Sequence, residues 1–262
     1  MNNIKLIKGF VPVLLLVLSC KRDFLDVPPQ GQAKGETFFT TAEHAVRAVN
    51  AAYAQLRQFS VSAFPHLAIT SISSDDAEKG SVPGDAAFLN DYDNFTITPN
   101  QAQLNDYWRG QYQGINLCNQ AIDNIPGIQM DEGLKNRLIA EAKFLRGFYY
   151  FNLVRAFGGV PLVARVPQTT EELNPARASA DEIYSFIEKD MNEAIPVLPA
   201  AYGGTDIGRA TKGVALMQLA KVLLYRKRWS EVLGLTDQIQ GLGYTLTPDF
   251  NTIFRISGEN NS

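Results

Sequence analysis

Histidine and cysteine are scarce in this chain of 262 residues, which contains two of each: His44, His66, Cys20 and Cys118. Neither histidine falls in a metal-ligand spacing such as His-Glu-x-x-His. The chain also lacks a Gly-x-Ser-x-Gly motif, a phosphate-binding glycine loop and a dinucleotide fingerprint. Because no reactive constellation can be assembled from these residues, the sequence predicts a protein that is not an enzyme and holds no metal or cofactor.

Long hydrophobic runs are also missing. The apolar stretch Phe10–Leu18 is about half the ~20 residues that a membrane-spanning helix needs. It follows Lys5 and Lys8 and ends at a small residue, which is the order of a secretory signal. Cys20 comes directly after that residue, as in bacterial lipoprotein signals, where the thiol is acylated. We therefore predict a lipid anchor at Cys20; the alternatives are an ordinary signal peptide or a buried helix with an incidental cysteine.

Positive charge is not in excess. The full chain has a formal net charge of −3, and removal of Lys5 and Lys8 with the signal leaves −5. A protein that binds nucleic acid needs a basic surface to neutralise phosphates, so the sequence predicts no nucleic-acid partner. Cys118 would lack a disulfide partner once Cys20 is acylated, and we expect it to pack as a small hydrophobic residue.

Apolar residues recur at helical spacing along most of the chain, and no segment indicates a strand hairpin or a βαβ unit. Capping patterns and stop signals predict helices that begin near Thr40, run from about Gln101 to Ile125, from Asp131 to Phe157, from Ser179 to Ile195, from Thr211 to Leu224 and from Ser230 to Gln240. The predicted fold class is all-α.

The last two predicted helices have the spacing of a tetratricopeptide unit, in which small residues let two helices approach closely. The residues concerned are Leu216, Leu219, Ala220 and Leu223, followed by Val232, Thr236 and Ile239. The earlier helices also come in pairs, but without a strict 34-residue period. We predict an irregular tetratricopeptide-like scaffold, with a generic helical bundle as the alternative.

The segment Phe59–Asn100 interrupts the helical pattern and is predicted to be a long loop, which in compact domains is often functional or disordered. Carboxylates and aromatic rings are close together in it, which suits sugar recognition because a ring stacks on a pyranose while polar groups bond its hydroxyls. The candidate ligand-binding residues are Asp75, Asp76, Phe88, Tyr92 and Phe95. The alternative is a surface loop held down by its own aromatic residues.

Several sequence segments together resemble those of a known family. They are KRDFLDVP after Cys20, WRGQYQGINLCNQAIDNI at 108–125, AEAKFLRGFYYFNLVRAFGGVPLV at 140–163, RASADEIYSFIEKDMNEAIPVLP at 177–199 and GRATKGVALMQLAKVLLY at 208–225. In this order they resemble the N-terminal part of a SusD/RagB-type outer-membrane lipoprotein of Bacteroidetes. The resemblance covers nearly all of residues 20–262.

The resemblance implies a non-catalytic, surface-exposed protein of the outer membrane. Family members cover a SusC-like TonB-dependent transporter and capture oligosaccharides, or sometimes peptides, for import. Their helical repeats are thought to face the transporter, and their ligand contacts come mainly from loops with aromatic residues. No binding residue can be transferred by motif, but the loop from Asp75 to Phe95 lies where some members place ligand contacts.

The resemblance also implies a domain order: a signal peptide at 1–19, a lipidated tether at 20–39 and a helical domain at 40–262. Family members are much longer, so we expect this domain to be incomplete at its C-terminal end.

Two other functions remain open. One is a helical-repeat adaptor that binds a protein or peptide at the outer membrane. The other is a glycoside hydrolase that uses Asp75 and Asp76. Adjacent carboxylates suit that reaction poorly, because the two groups must lie on opposite sides of one bond, about 5 Å apart or more.

Overall fold

The structure is a computed structural model that describes residues 38–256. Within this range the chain is mostly helical and forms no strand; one isolated antiparallel bridge joins Pro161 and Arg177. The predicted all-α class is confirmed. Cys20, the predicted signal peptide and nearly all of the predicted tether lie outside the described residues.

Three short helices follow the first long one, and five more long helices complete the order. The described helices are α1 (Ala42–Gln55), α2 (Phe59–Ser62), α3 (Phe64–Leu67), α4 (Leu89–Asp93), α5 (Ala102–Asn124), α6 (Glu132–Phe157), α7 (Ala180–Ala194), α8 (Lys212–Tyr225) and α9 (Trp229–Gln240). A π-helical turn covers Ala68–Ile72, and 3-10 turns cover Ile125–Gly127, Gly204–Asp206 and Phe250–Phe254.

Side-chain caps fix where the long helices begin. The predicted cap of α1 was wrong by one residue, because Thr41 and not Thr40 accepts the backbone N–H of His44, at 3.3 Å. The Thr40 hydroxyl instead lies 3.2 Å from the His44 ring Nδ1. The other predicted caps are confirmed: Asp131, Ser179 with Glu182, and Thr211.

Consecutive long helices pack side by side, and glycines set their close approach. A Cβ added at Gly114 of α5 would lie 2.4 Å from Cζ of Tyr149 on α6. A Cβ added at Gly147 of α6 would lie 2.3 Å from the terminal methyl of Met191 on α7. At Gly114 the packed ring leaves no room for a side chain, whereas at Gly147 the flexible end of Met191 would have to move.

Three of the four aromatic residues in the run 148–151 of α6 lie in the main core, the large cluster of buried residues centred on the long helices. Tyr149, Tyr150 and Phe151 are fully buried. The Tyr149 hydroxyl donates to the carbonyl of Ala52 on α1 at 2.7 Å, which satisfies its polar group inside the core. Cys118 is also fully buried, and burial raises the pKa of its thiol, so it packs as a hydrophobic residue.

A buried ion pair joins three long helices. The Arg146 guanidinium of α6 donates two hydrogen bonds of 2.8 Å to the Asp190 carboxylate of α7. Its remaining nitrogen donates to the Asn119 side chain of α5 at 2.8 Å and to the Ala164 carbonyl at 2.7 Å. Because Arg146, Asp190 and Asn119 are all buried and the guanidinium also bonds the Ala164 carbonyl, this group holds the connection between α6 and α7 against the helices.

The helix pair α8–α9 has one buried and one exposed face. The buried face of α8 is the one that the tetratricopeptide-like pattern predicted: Leu216, Leu219, Ala220 and Leu223. On the other side, Val214 and Met217 of α8 are exposed, as are Trp229 and Leu233 of α9. This outer face is unusually apolar for a surface.

Candidate functional site

The candidate site lies in residues 59–97, here called the binding segment. The prediction of one long loop was wrong, because the segment forms α2, α3, the π-helical turn and α4. Its buried residues Val61, Pro65, Ala68 and Ile72 recur at steps of three and four, which is a helical period. π-helical turns are rare and are often found at functional sites.

A small hydrophobic cluster of its own, the minor core, holds the binding segment together. Its fully buried members are Ala68, Ile72, Leu89 and Tyr92. Partly buried residues pack around them: Ile69, Ala77, Ala86, Phe88, Ile97 and Leu104. The segment therefore has a defined shape.

The binding segment rests on α5. A Cβ added at Gly110 would lie 2.5 Å from the Ser60 hydroxyl, so α2 approaches α5 as closely as a glycine allows. Val61 of α2 belongs to the main core. The Gln55 side chain of α1 donates to the Gly110 carbonyl at 3.0 Å, which links the end of α1 to the same point.

Three phenylalanine rings form a row on the surface of the binding segment. The rings of Phe59 and Phe64 are nearly parallel, at 12°, with centroids 6.2 Å apart. Phe88 continues the row at 6.0 Å from Phe64, tilted by 57°. Phe59 is 62% exposed and Phe64 36%. This aromatic row offers ring surface to solvent without any change in the fold.

The aromatic row includes only one predicted residue, Phe88. Phe59 and Phe64 were missed because they are five residues apart and lie on different helices, so no helical period connects them. The signal in the sequence was only the density of phenylalanine around Pro65.

The prediction that Tyr92 stacks on a ligand is contradicted by its burial. Tyr92 is fully buried in the minor core, where its ring has no face toward solvent. Burial also raises the pKa of its phenol. Tyr92 therefore supports the segment from inside.

Phe95 follows α4 and is 73% exposed. Its φ of 55° lies in the left-handed region, which is uncommon for a bulky residue. A hydrogen bond of 2.8 Å from the Thr96 N–H to the Asp91 carbonyl closes the turn around it. The Asp91 carboxylate in addition accepts from the Gln101 side chain at 2.7 Å, so the turn is tied to the start of α5.

Asp75 and Asp76 are both exposed and come shortly after the π-helical turn. The Asp76 N–H donates to the Ser74 hydroxyl at 3.2 Å. The next residue, Ala77, packs against the minor core, as Phe88 does. The two exposed carboxylates therefore come directly before a residue that packs on the minor core.

Lys79 shapes the loop between these carboxylates and α4. Its ammonium group donates to the carbonyls of Val82 and Asp85 at 2.7 and 2.8 Å, and to the Ser81 hydroxyl at 3.2 Å. All three of its protons are therefore used inside the loop, which closes on the lysine.

Residues 38–256 contain no helix that is long and apolar enough to cross a membrane. The same residues contain no cluster of His, Cys, Asp and Glu side chains that could hold a metal ion.

Residues 23–224 match a SusD-like family described as "Starch-binding associating with outer membrane". The chain belongs to this family. The match confirms the resemblance inferred from the sequence segments. The description of the SusD-like family names binding and outer-membrane association, not a reaction, in agreement with the prediction of a non-catalytic protein.

Curated SusD-like relatives match almost the whole chain. SusD-like protein P2 of Formosa agariphila is 28% identical over 254 residues, which is 94% of this chain and 48% of the relative. A SusD-like protein of Bacteroides ovatus is 28% identical over 264 residues, with 94% and 46% covered. The chain spans about half the length of the curated relatives it matches.

Solved SusD-like structures share the helical fold. A laminarin binding SusD-like protein superposes with a TM-score of 0.77 at 31% identity, over 85% of this chain and 50% of that one. Surface glycan-binding protein A from Bacteroides thetaiotaomicron, in complex with laminarihexaose, gives 0.71 at 26% identity, over 84% and 47%. Both proteins are named for glycan binding.

Proposed function

We propose that this SusD-like chain binds an oligosaccharide on the binding segment, with the aromatic row as its stacking surface. The observation that carries the proposal is the row itself, in which Phe59, Phe64 and Phe88 present neighbouring rings at the surface. The C–H face of a pyranose packs on such a ring, and successive sugars of a chain can use successive rings.

Polar groups elsewhere in the binding segment would give the sugar its orientation. Asp75 and Asp76 are exposed acceptors for hydroxyl groups, and Phe95 adds a further exposed ring. These three residues keep the role that the sequence suggested for them. Tyr92 is assigned to support of the segment and not to ligand contact.

Laminarin oligosaccharides are the first ligands to test. A relative at 31% identity is a laminarin binding protein, and another similar structure holds laminarihexaose. The family description names starch, so a maltooligosaccharide of equal length is the natural competitor.

The proposal extends to location and partner. Cys20 would carry the lipid anchor, with residues 1–19 as signal peptide, 20–39 as tether and 40–262 as the helical domain, incomplete at its C-terminal end. The protein would lie at the surface of the outer membrane and deliver its ligand to a SusC-like TonB-dependent transporter. The outer-membrane association in the family description supports this location.

Titration calorimetry of the chain with laminarihexaose and maltohexaose tests the site. We expect Phe64→Ala to weaken binding about tenfold, because the central ring of the row is lost. Phe250→Ala is the control, since Phe250 is also an exposed phenylalanine but lies outside the binding segment. Binding that survives in a Phe59→Ala/Phe64→Ala double variant would rule out the aromatic row as the site.

Membrane fractionation tests the anchor. Replacement of Cys20 by alanine removes the acylated thiol, and we expect the variant to leave the membrane fraction, because acyl chains supply the attachment. A variant that still sediments with membranes would disprove anchoring through Cys20.

A further inference from the structure

The binding segment is more negatively charged than the rest of the chain. Its 39 residues include six carboxylates and one ammonium group, whereas the whole chain has 27 acidic and 24 basic residues. The segment therefore has a formal net charge of −5, and the remainder of the chain has one of +2. The six acidic residues are Asp75, Asp76, Glu78, Asp85, Asp91 and Asp93.

Five of these six residues are next to a residue of the minor core in the chain. The neighbours are Asp76 and Glu78 around Ala77, Asp85 before Ala86, and Asp91 and Asp93 around Tyr92. Consecutive Cα atoms are about 3.8 Å apart, so the backbone of all five lies at this cluster. Phe88, the third ring of the aromatic row, packs on the same cluster. The negative charge is thus concentrated around the cluster that also holds one end of the row.

This charge is not neutralised by basic side chains of the scaffold. Among residues 38–256, no Lys or Arg side chain forms a salt bridge with any of the six carboxylates. Asp91 accepts from the side chains of Thr96 and Gln101, which carry no charge. Four of the six residues are exposed: Asp75, Asp76, Glu78 and Asp85.

Lys79 is the one lysine or arginine of the segment, and its ammonium group is already occupied. Its three protons are used by the carbonyls of Val82 and Asp85, at 2.7 and 2.8 Å, and by the Ser81 hydroxyl at 3.2 Å. An anionic ligand would have to displace one of these bonds to pair with it. Burial lowers the pKa of the half-buried His66, so its imidazole is neutral at pH 7. The segment therefore offers no free cation to an anionic ligand.

Hydrogen bonding favours the same class of ligand. An ionised carboxylate only accepts hydrogen bonds, and the same holds for the sulfate and uronate groups of anionic glycans. A sugar hydroxyl can donate to Asp75 or Asp76, whereas a sulfate or uronate group meets only a second acceptor of like charge. An uncharged sugar thus gains a hydrogen bond where an anionic one is repelled.

We propose that the binding segment selects uncharged oligosaccharides and excludes those that carry sulfate or uronic acid groups. The inference rests on the proposed function, because it concerns a sugar that is bound at the aromatic row. The phenylalanine rings do not distinguish the two classes, since they contact only the C–H face of a sugar. The carboxylates do, through a field that extends about 30 Å in 0.01 M salt and about 3 Å in 1 M salt.

Three derivatives of laminarihexaose that differ only at the reducing end test the selection. The end is CH2OH in the alditol, COO⁻ in the aldonic acid and CH2NH3⁺ in the amino alditol. By titration calorimetry in about 0.01 M salt, we expect the aldonic acid to bind the full chain about threefold more weakly than the alditol, and the amino alditol about threefold more tightly. Both differences should disappear in about 1 M salt, where the alditol controls for other effects of salt.

A double charge reversal locates the effect. Glu78→Lys/Asp85→Lys changes the net charge of the segment from −5 to −1 and should bring the affinities of the three probes within about twofold of each other. Neither side chain is a proposed ligand contact, so the alditol should bind this variant as it binds the wild type. Glu171→Lys/Asp237→Lys is the matched control, because it makes the same change in total charge at two exposed residues outside the segment. The control should keep the order of the three probes.

A variant with less charge change guards against misfolding. If circular dichroism shows that Glu78→Lys/Asp85→Lys is unfolded, Glu78→Gln/Asp85→Asn takes the segment to −3 and should still narrow the differences between the probes. Equal affinities of the three probes in low salt, tightest binding of the aldonic acid, or an equal effect of the control variant would overturn the selection by charge.

The Phe59→Ala/Phe64→Ala variant separates this inference from the proposed function. If that variant loses the alditol while the wild type binds all three probes equally, the aromatic row is the site and only the charge selection fails. If the variant still binds the alditol, or if the wild type binds no sugar, the proposed function fails and the inference fails with it.

Discussion

The long helices and the binding segment are stabilised in different ways. Helices α1 and α5–α9 share one continuous core with a buried ion pair. The binding segment has helices of four or five residues, too short to be stable alone, and a minor core with four fully buried residues. The difference shows that the exposed aromatic row sits on a thin layer, and that rigidity comes from the helices beneath it.

The largest effect is expected from the buried ion pair of the long helices. Asp190→Asn leaves the Arg146 guanidinium buried without its counter-charge, and should lower the free energy of unfolding by about 3–5 kcal/mol. Denaturant unfolding measures this. A combined Arg146→Met/Asp190→Leu variant should recover most of the loss, because no uncompensated charge remains. If Asp190→Asn had the same free energy of unfolding as the wild type, the ion pair would not contribute to the stability of the long helices.

Substitution of one leucine in each core compares directly how much each core contributes to stability. Leu145 is fully buried in the main core and Leu89 is buried in the minor core. Leu145→Ala should cost about 4 kcal/mol and Leu89→Ala about 2 kcal/mol, because the thin layer can collapse around its cavity. Hydrogen exchange separates the effects: the first variant should expose amides throughout, the second those of residues 59–97. Equal and global effects would mean that the segment is no weaker than the scaffold.

Substitution of two glycines on α5, one turn apart, compares the packing of α5 against α6 with its packing against the binding segment. Gly114 faces the Tyr149 ring, which its hydroxyl fixes to α1, while Gly110 faces the Ser60 side chain of α2. Gly114→Ala should cost about 2–3 kcal/mol and Gly110→Ala about 1 kcal/mol, because the one-turn helix α2, which carries Ser60, can shift away from α5, whereas the Tyr149 ring is fixed through its hydroxyl. Thermal unfolding shows which variant loses more stability. If Gly110→Ala were the more destabilising, the more rigid contact would be the one between α5 and the binding segment.

The smallest effect concerns pH. Burial and the Arg155 charge lower the pKa of His66, whose ring lies 5.9 Å from that of Tyr107. The unfolded chain then binds the proton first, so stability is full above the ordinary pKa of about 6.5 and falls as the pH drops below it. Hydrogen exchange in residues 59–72 should increase modestly from pH 7 to 5.5, after correction for intrinsic rates. His66→Gln should abolish this dependence; an unchanged dependence would exclude His66 as its source.

The sequence was sufficient for the long helices, because apolar residues recur at helical spacing along them and several also begin at a side-chain cap, such as Asp131 or Ser179. It was insufficient for the binding segment, because its helices are only four or five residues long and their helical spacing, from Val61 to Ile72, covers a single short stretch. The sequence also did not determine which aromatic side chains are exposed. Phe59, Phe64 and Tyr92 are all aromatic residues in polar surroundings, and only the packing of the minor core decides which ring faces solvent.

The loop around Lys79 has a consequence for how relatives can diverge. Its polar contacts join one ammonium group to oxygen atoms of Ser81, Val82 and Asp85, none of which lies on a long helix, while Ala77 and Ala86 pack in the minor core with Leu104 of α5. The residues between the two alanines can therefore be exchanged for a different closed loop without repacking the scaffold. Under the proposed function, ligand preference would change by replacement of these residues, while the helices beneath keep their packing.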